Sequence, residues 1–305
     1  MAALAARGET AEDVAGLVDV LRGRALRPPV EEDLARQAVD VCGTGGDGLS
    51  TFNISTVTAF AAAGAGVLVA KHGGRAVSSS CGSADVLAGL GVDIEMPPER
   101  AADALRRAGV SFFFAPIYHA AMKAVAPLRR TLGIRTAFNL AGPLCNPLGV
   151  PRQIVGVDRP ERIEVVAGAF ARLGAERVFV YSNEAGGDEL LPIGRTRVAE
   201  VTPEGIRFFD LAAPDFGLSE GDPDALKGGG VEKNVEILRS ILDGSYGTAR
   251  ETVLMNASAA LVVAGRADGW RDGVGLAAAA IDGGAAREAL LKLVSISKGG
   301  PGGAA

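Results

Sequence analysis

Short apolar runs alternate with helical segments along most of the chain, and few architectures accept that alternation. Ala38–Cys42, Val67–Ala70, Val92–Glu95, Val110–Phe114, Ile154–Val157 and Val178–Tyr181 read as short strands. Thr56–Gly64, Ala84–Leu90, Glu99–Ala108, Ala120–Leu132 and Glu161–Leu173 read as the helices between them, with a kink expected at Pro127. Arg195–Val201 and Ile206–Asp210 pattern as a strand pair about a turn at Pro203-Glu204-Gly205. The last third is helical in pattern: Val231–Leu242, Thr248–Ala264, Val274–Asp282 and Ala286–Val294. At the start, Thr10 is placed to cap a helix from Ala11 to about Leu21, with Asp13 completing the capping box and Val14, Leu17 and Leu21 its apolar stripe. The expected class is α/β, a sheet with helices on its faces plus a helical portion. Residues 299–305 are Gly, Ala and Pro and are expected to be a disordered tail.

Composition removes several function classes. With Lys+Arg 31 against Asp+Glu 36 and the two signs interspersed, there is no basic footprint for nucleic acid. The longest apolar run, Ala59–Ala70, is broken by Gly64 and Gly66 and falls well short of the ~20 residues of a membrane span. Glu9, Glu12 and Asp13 come too early for a secretory signal, so a reduced cytoplasm is expected for Cys42, Cys81 and Cys145. Only His72 and His119 are present, which excludes a multi-histidine metal site. The 42 glycines point to many tight turns or to backbone pressed close to a ligand.

The chemistry concentrates after the first strand. Cys42-Gly43-Thr44-Gly45-Gly46-Asp47-Gly48 is a glycine loop whose N–H groups can converge on an anion, although such a loop is equally a structural turn. Asn53-Ile54-Ser55-Thr56 places polar side chains at the start of the next helix, where phosphate is favoured. Lys71-His72-Gly73 follows the next buried strand, and ligands of α/β sheets bind beyond the carboxyl ends of strands. Together these read as a site for a phosphorylated ligand. Asp188-Glu189, after a strand and the pair Gly186-Gly187, suits Mg²⁺ held with substrate phosphates; alone, it reads as a solvated loop. Phe112-Phe113-Phe114 reads as buried strand rather than substrate shelf, and His119 as structural.

An ordered set of motifs resembles the anthranilate phosphoribosyltransferase family from about Leu4 to Val294. It comprises Gly43–Asp47, Asn53–Thr56, Lys71–Gly73, Gly82-Ser83-Ala84-Asp85-Val86-Leu87, the run Arg135–Pro147, and Glu232–Gly265 with Asn234 and Val253–Ala257. The resemblance implies transfer of phosphoribose from 5-phosphoribosyl-1-pyrophosphate (PRPP) to the amine of anthranilate, in tryptophan biosynthesis. It implies a PRPP site of Gly43, Thr44, Gly45, Gly46, Asp47, Thr51, Asn53, Ser55, Thr56, Lys71 and Ser83. It implies an anthranilate site of Gly43, His72, Gly74, Arg129, Gly142 and Pro143, with Arg129 meeting the carboxylate. Mg²⁺ would be linked to Ser55, Asp188 and Glu189. The implied fold is that of the nucleoside phosphorylases and phosphoribosyltransferases. A small helical domain (1–33 and 116–146) packs on a large α/β domain (34–115 and 147–298), as a homodimer through the helical part. His72 also reads as a core histidine, and Arg129 as a surface or interface ion pair.

The sequence departs from the family at four places. Gly74 stands where the family has asparagine, Ser182–Gly187 where it opens with His-Gly, and Ser80-Cys81 where it has Lys-Ser. Met1 falls inside a family helix, so two or three leading helices are expected to be missing. Two further readings stay open. One is a paralogue that uses another aromatic amine or binds nucleic acid. The other is a pyrimidine nucleoside phosphorylase.

Overall fold

In the computed structural model, residues 1–46, 48–76 and 81–300 are described, the side chains of residues 123, 124 and 130 excepted. A seven-stranded sheet is built from β1 (Val39–Gly43), β2 (Val69–Gly73), β3 (Val110–Phe114), β4 (Arg152–Gly156), β5 (Arg177–Asn183), β6 (Thr196–Thr202) and β7 (Gly205–Leu211). Its order is β3-β2-β1-β4-β5-β6-β7. The first five run parallel, and β6 and β7 close the far edge as an antiparallel pair.

The helices are α1 (Ala2–Arg7), α2 (Ala11–Gly23), α3 (Glu32–Gln37), α4 (Ile54–Gly64), α5 (Ser83–Gly89), α6 (Pro98–Ala108) and α7 (Ala115–Tyr118). They continue with α8 (Ala120–Leu132), α9 (Ala137–Ala141), α10 (Ile163–Arg172), α11 (Val231–Leu242), α12 (Thr248–Val263), α13 (Trp270–Asp282) and α14 (Ala285–Ser297). Thr10 caps α2 as expected: its hydroxyl accepts from Asp13 N–H at 3.2 Å, and Thr10 N–H donates to the Asp13 carboxylate at 2.9 Å.

Successive residues of a strand face opposite sides, and here the two sides are two cores. Val39, Val41, Ile154, Phe179 and Tyr181 pack with α4, α6, α12 and α14. Cys42, Val155, Val178 and Val180 pack with α2 and α10 on the other side. Burial on both faces explains why the parallel strands read as continuous apolar runs. The central helix α12 is buried almost all round, and α4 lies against it and α14. Gly64 permits that closeness: a Cβ there would approach Ala286 N at 2.5 Å.

One expected strand is absent. Val92–Glu95 forms a turn between α5 and α6, with Met96 N–H bonded to the Asp93 carbonyl and Asp93 N–H to Ser297 Oγ. Val92 and Ile94 are buried there, so their apolar character reflects the core rather than a sheet position. Of the expected tail, residues 301–305 lie outside the described residues.

Candidate active site

Strand order positions the site. From β1 the chain goes first to β2 and β3 on one side, then returns to β4 on the other, so β1 and β4 flank the switch point of the sheet. A crevice opens beyond the carboxyl ends of such a strand pair. Those ends are Gly43 and Gly156, and the loop after β5 lays Asp188 across both. A Cβ on Gly156 would overlap the Asp188 backbone, and one on Gly43 would overlap its carboxylate. The two missing side chains therefore admit the acid loop.

The adjacent acids divide between two partners. Asp188 Oδ2 accepts from Gly45 N–H at 2.7 Å, and Glu189 Oε1 accepts from Ser55 N–H at 3.2 Å in the first turn of α4. Orphan N–H groups of a helix start favour negative charge, which is how a carboxylate is held there. Asn256 of α12 fixes the chain just beyond. Its side-chain oxygen accepts from Leu190 N–H at 3.1 Å, and its amide donates to Leu190 O at 2.8 Å.

Lys71 and His72 were expected just after a strand, but they lie within β2, paired with Phe112 and Phe113 of β3. The buried Lys71 ammonium donates to Val41 O at 2.6 Å and to Ser55 Oγ at 3.1 Å. Burial pulls the Lys71 pKa down, and the charge of Asp40 opposes that. Asp40, fully buried on β1, is pushed up to about 6 by burial, against Lys71 and an Asn146 hydrogen bond. It accepts from His72 N–H at 3.1 Å, Asn146 Nδ2 at 2.9 Å and Gln153 Nε2 at 3.3 Å. Asn146 also donates to Ala70 O at 2.8 Å, tying the turn after Gly142–Cys145 to β2.

Other expected site residues fall around this cluster. Thr44 N–H donates to Gly156 O at 2.9 Å, and its hydroxyl accepts from Asp158 N–H at 3.3 Å. Asn53 donates to Cys81 O at 3.0 Å. Thr51 forms a bridge with Lys227, and Ser83 opens α5 beside Gly73. Thr56 is wholly buried in the first turn of α4. Asp47 and Ser80 lie outside the described residues.

His72 is buried with its ring edge-on to His119, centroids 5.1 Å apart. Burial, then His119, Lys71 and Arg22, hold His72 down to about 3. His119 Nε2 meets Cys145 O at 2.7 Å, while His72 Nε2 and His119 Nδ1 have no hydrogen-bond partner among the described residues. Pro143 O accepts from Gln153 Nε2 at 3.1 Å, and Gly142 begins the same short turn. Arg129 of α8 lies 5.6 Å over the ring of Phe138 on α9. Gly74 O accepts from Ala84 N–H at 3.1 Å. Thus Asp188 bonds to Gly45 and lies close against Gly43, while Lys71, Ser55 and Glu189 are linked by hydrogen bonds, with Thr44 held beside them at the β4 end. His72 and Pro143 belong to a second network around Asp40, Asn146 and Gln153, which faces the Lys71 charge, whereas Arg129 bonds to none of these. Asp40, Arg135 and Asn256 belong to the assembly and were not singled out from the sequence. Of them only Arg135 and Asn256 stood inside a motif.

Known proteins share this fold and much of this sequence. Residues 35–287 match the model described as "Glycosyl transferase family, a/b domain". The chain is 47% identical over 300 residues to anthranilate phosphoribosyltransferase of Anaeromyxobacter sp. (strain Fw109-5), covering 98% of this chain and 88% of the relative. It is 49% identical to that of Mesorhizobium japonicum over 297 residues, covering 97% and 87%. The solved enzyme of Thermus thermophilus superposes with a TM-score of 0.91 at 41% identity, over 97% of this chain and 88% of that one. The Saccharomyces cerevisiae enzyme in complex with PRPP and Mg gives 0.86 at 29%, over 95% and 81%. With this fold and these relatives, the chain belongs to the anthranilate phosphoribosyltransferase family.

Proposed function

We propose that this enzyme transfers phosphoribose from PRPP to the amine of anthranilate, giving phosphoribosylanthranilate and pyrophosphate. The observation that carries the reading is Asp188, set across the β1 and β4 ends and bonded to the glycine loop, with Glu189 on the start of α4. That places carboxylates, a glycine loop and a helix N-terminus at one crevice, the equipment for a polyanionic substrate.

Asp188, Glu189 and the Ser55 hydroxyl are oxygen donors only, which is the set that Mg²⁺ takes together with substrate phosphates. When bound, the ion supplies positive charge against the departing pyrophosphate. The chain's own residues do the rest. The glycine loop and Ser55 present backbone and hydroxyl groups to the phosphates, while Lys71 keeps a buried positive charge below them. In the reaction the C1–oxygen bond to pyrophosphate breaks, the amine nitrogen bonds C1, and that nitrogen then releases a proton. An aromatic amine is already a neutral nucleophile, so orientation is the main requirement. His72 is held neutral by its burial and packs the acceptor side with Gly142 and Pro143. Gly74 completes that side, and Arg129 receives the anthranilate carboxylate.

We assign residues 1–33 and 116–146 to a small helical unit and 34–115 and 147–298 to the α/β unit. α2 packs on α9, which supports the first, and it also joins that unit to the α/β unit by packing on α10 and the sheet. Val20, Leu26, Leu128, Leu132 and Ile134 stand exposed on this helical unit, which supports a homodimer through it. No described helix is long and apolar enough to cross a membrane, and the three buried cysteines, none in a disulfide among the described residues, suit a reducing cytoplasm.

The test is an acceptor screen with PRPP and Mg²⁺, following pyrophosphate release and product mass. Anthranilate is expected to give the phosphoribosyl adduct. Turnover with another aromatic amine but not anthranilate overturns the assignment, as does phosphate-dependent cleavage of a pyrimidine nucleoside.

A further inference from the structure

Arg135 lies between α8 and α9 and reaches the glycine loop 89 residues earlier in the chain. Its Nη1 donates to Gly46 O at 3.2 Å and its Nη2 to Gly45 O at 3.0 Å. Nη1 also stands 3.5 Å from Asp158 Oδ2, a buried carboxylate two residues after β4 that Arg162 holds at 2.5 Å and Arg159 approaches at 3.7 Å. At the other end, the next residue, Thr136, is the N-cap of α9. Thr136 N–H donates to Asn139 Oδ1 at 3.0 Å, which fixes the backbone from which the guanidinium extends.

Gly45 and Gly46 sit at φ +65° and +73°, in the region that only glycine occupies freely. Two such peptides can flip readily, and a flip reverses which way each N–H points. Across a trans peptide the carbonyl and the following N–H point opposite ways. Holding the Gly45 carbonyl toward Arg135 therefore turns the Gly46 N–H to the opposite side. Gly46 also needs to be glycine for this contact, since a Cβ would overlap Arg135 Nη1.

We propose that Arg135 is a positioning residue of the glycine loop. It fixes the peptide orientation of Gly45 and Gly46 from the segment that leads into Gly142 and Pro143, and so couples the phosphate side to the acceptor side. The kinetic part of this proposal rests on the phosphoribosyl-transfer reading. Guanidinium geometry carries the effect, because a single ammonium cannot span two carbonyls and a carboxylate at once.

The test uses full-length Arg135→Ala, Arg135→Lys, Gly46→Ala and the Arg135→Ala/Gly46→Ala double variant. Arg135→Ala is expected to raise KM for PRPP by about ten-fold or more, as for lost hydrogen bonds to a charged group, while KM for anthranilate moves less than about two-fold. Lysine should fail to restore it. The double variant should be no worse than the worse single, because both changes break one contact. Hydrogen exchange without substrate gives a second readout: loop residues 43–46 should exchange faster in Arg135→Ala, with α3 unchanged. Wild-type PRPP affinity in Arg135→Lys overturns the proposal, as do equal rises in both KM values, additive losses in the double variant, or unaltered exchange. If wild-type enzyme does not consume PRPP, the functional reading fails instead, and the exchange experiment still decides the loop contact.

Discussion

At Gly74 a Cβ would meet nothing within 4 Å, and the backbone is not left-handed. The site therefore accepts the asparagine that the family carries. We expect Gly74→Asn to leave stability within ~0.5 kcal/mol, as for changes that disturb no packing. It should raise kcat/KM for anthranilate about two- to ten-fold, the worth of one added hydrogen bond. Steady-state kinetics check this, and an unchanged kcat/KM removes Gly74 from the substrate contacts. His72 gives a pH prediction. Its folded pKa of about 3 lies below the ordinary 6.5, so between those values the unfolded chain binds the extra proton. Stability from this group is complete above 6.5 and is lost as pH falls. Asp40 acts oppositely: its raised pKa gives stability that is present below 3.8 and lost as pH rises through about 6. Comparing wild type with His72→Gln cancels the Asp40 contribution. From about pH 7 to pH 5 wild type should lose about 2 kcal/mol more than the variant, by denaturant unfolding. A pH-independent difference contradicts it. Ser55 was legible because it starts a helix, and Lys71 because it ends a short apolar run, although the run continues as strand and places Lys71 and His72 within β2 rather than after it. Arg135 stood inside a motif, but its contact with the glycine loop was not legible, since a bond across 89 residues leaves no mark in spacing.

Among the elements, α12 does most to shape the acid loop. Its Asn256 is wholly buried and grips both backbone groups of Leu190, next to Glu189. Asn256→Leu would leave that N–H and carbonyl unpaired at about 1–3 kcal/mol each. We expect a lower denaturation midpoint together with a higher Mg²⁺ concentration for half-maximal activity. A destabilised variant with unaltered Mg²⁺ response would make Asn256 a packing residue only. The even burial of α12 shows why its role was hidden, for a helix buried all round has no polar face to mark a contact. The same limit produced the false strand at Val92–Glu95. A short apolar run without a partner in the sheet looks like a strand until the edge is known, and β3 is that edge. By contrast the α2 cap was readable to the residue, because a capping box is wholly local.

For the whole molecule, the α/β class followed from alternation, but strand order did not, because pairing is a choice among distant partners. That order creates the crevice, by parting the chain on either side of β1 and β4. Assembly is a second property of this scale. Sedimentation should show a dimer, and Leu128→Glu with Leu132→Glu should yield monomers, whereas a wild-type monomer contradicts the proposed interface. The central claim is that the β1/β4 crevice, built around Asp188 and Glu189, holds PRPP with Mg²⁺. Titration calorimetry of PRPP into wild type and into Asp188→Asn/Glu189→Gln, each with Mg²⁺ and with EDTA, tests it most directly. We predict Mg²⁺-dependent binding to wild type and a loss of about a hundred-fold or more in the double variant, as for removal of a main electrostatic partner. Equal PRPP affinity in the two proteins, or binding indifferent to EDTA, would contradict the account.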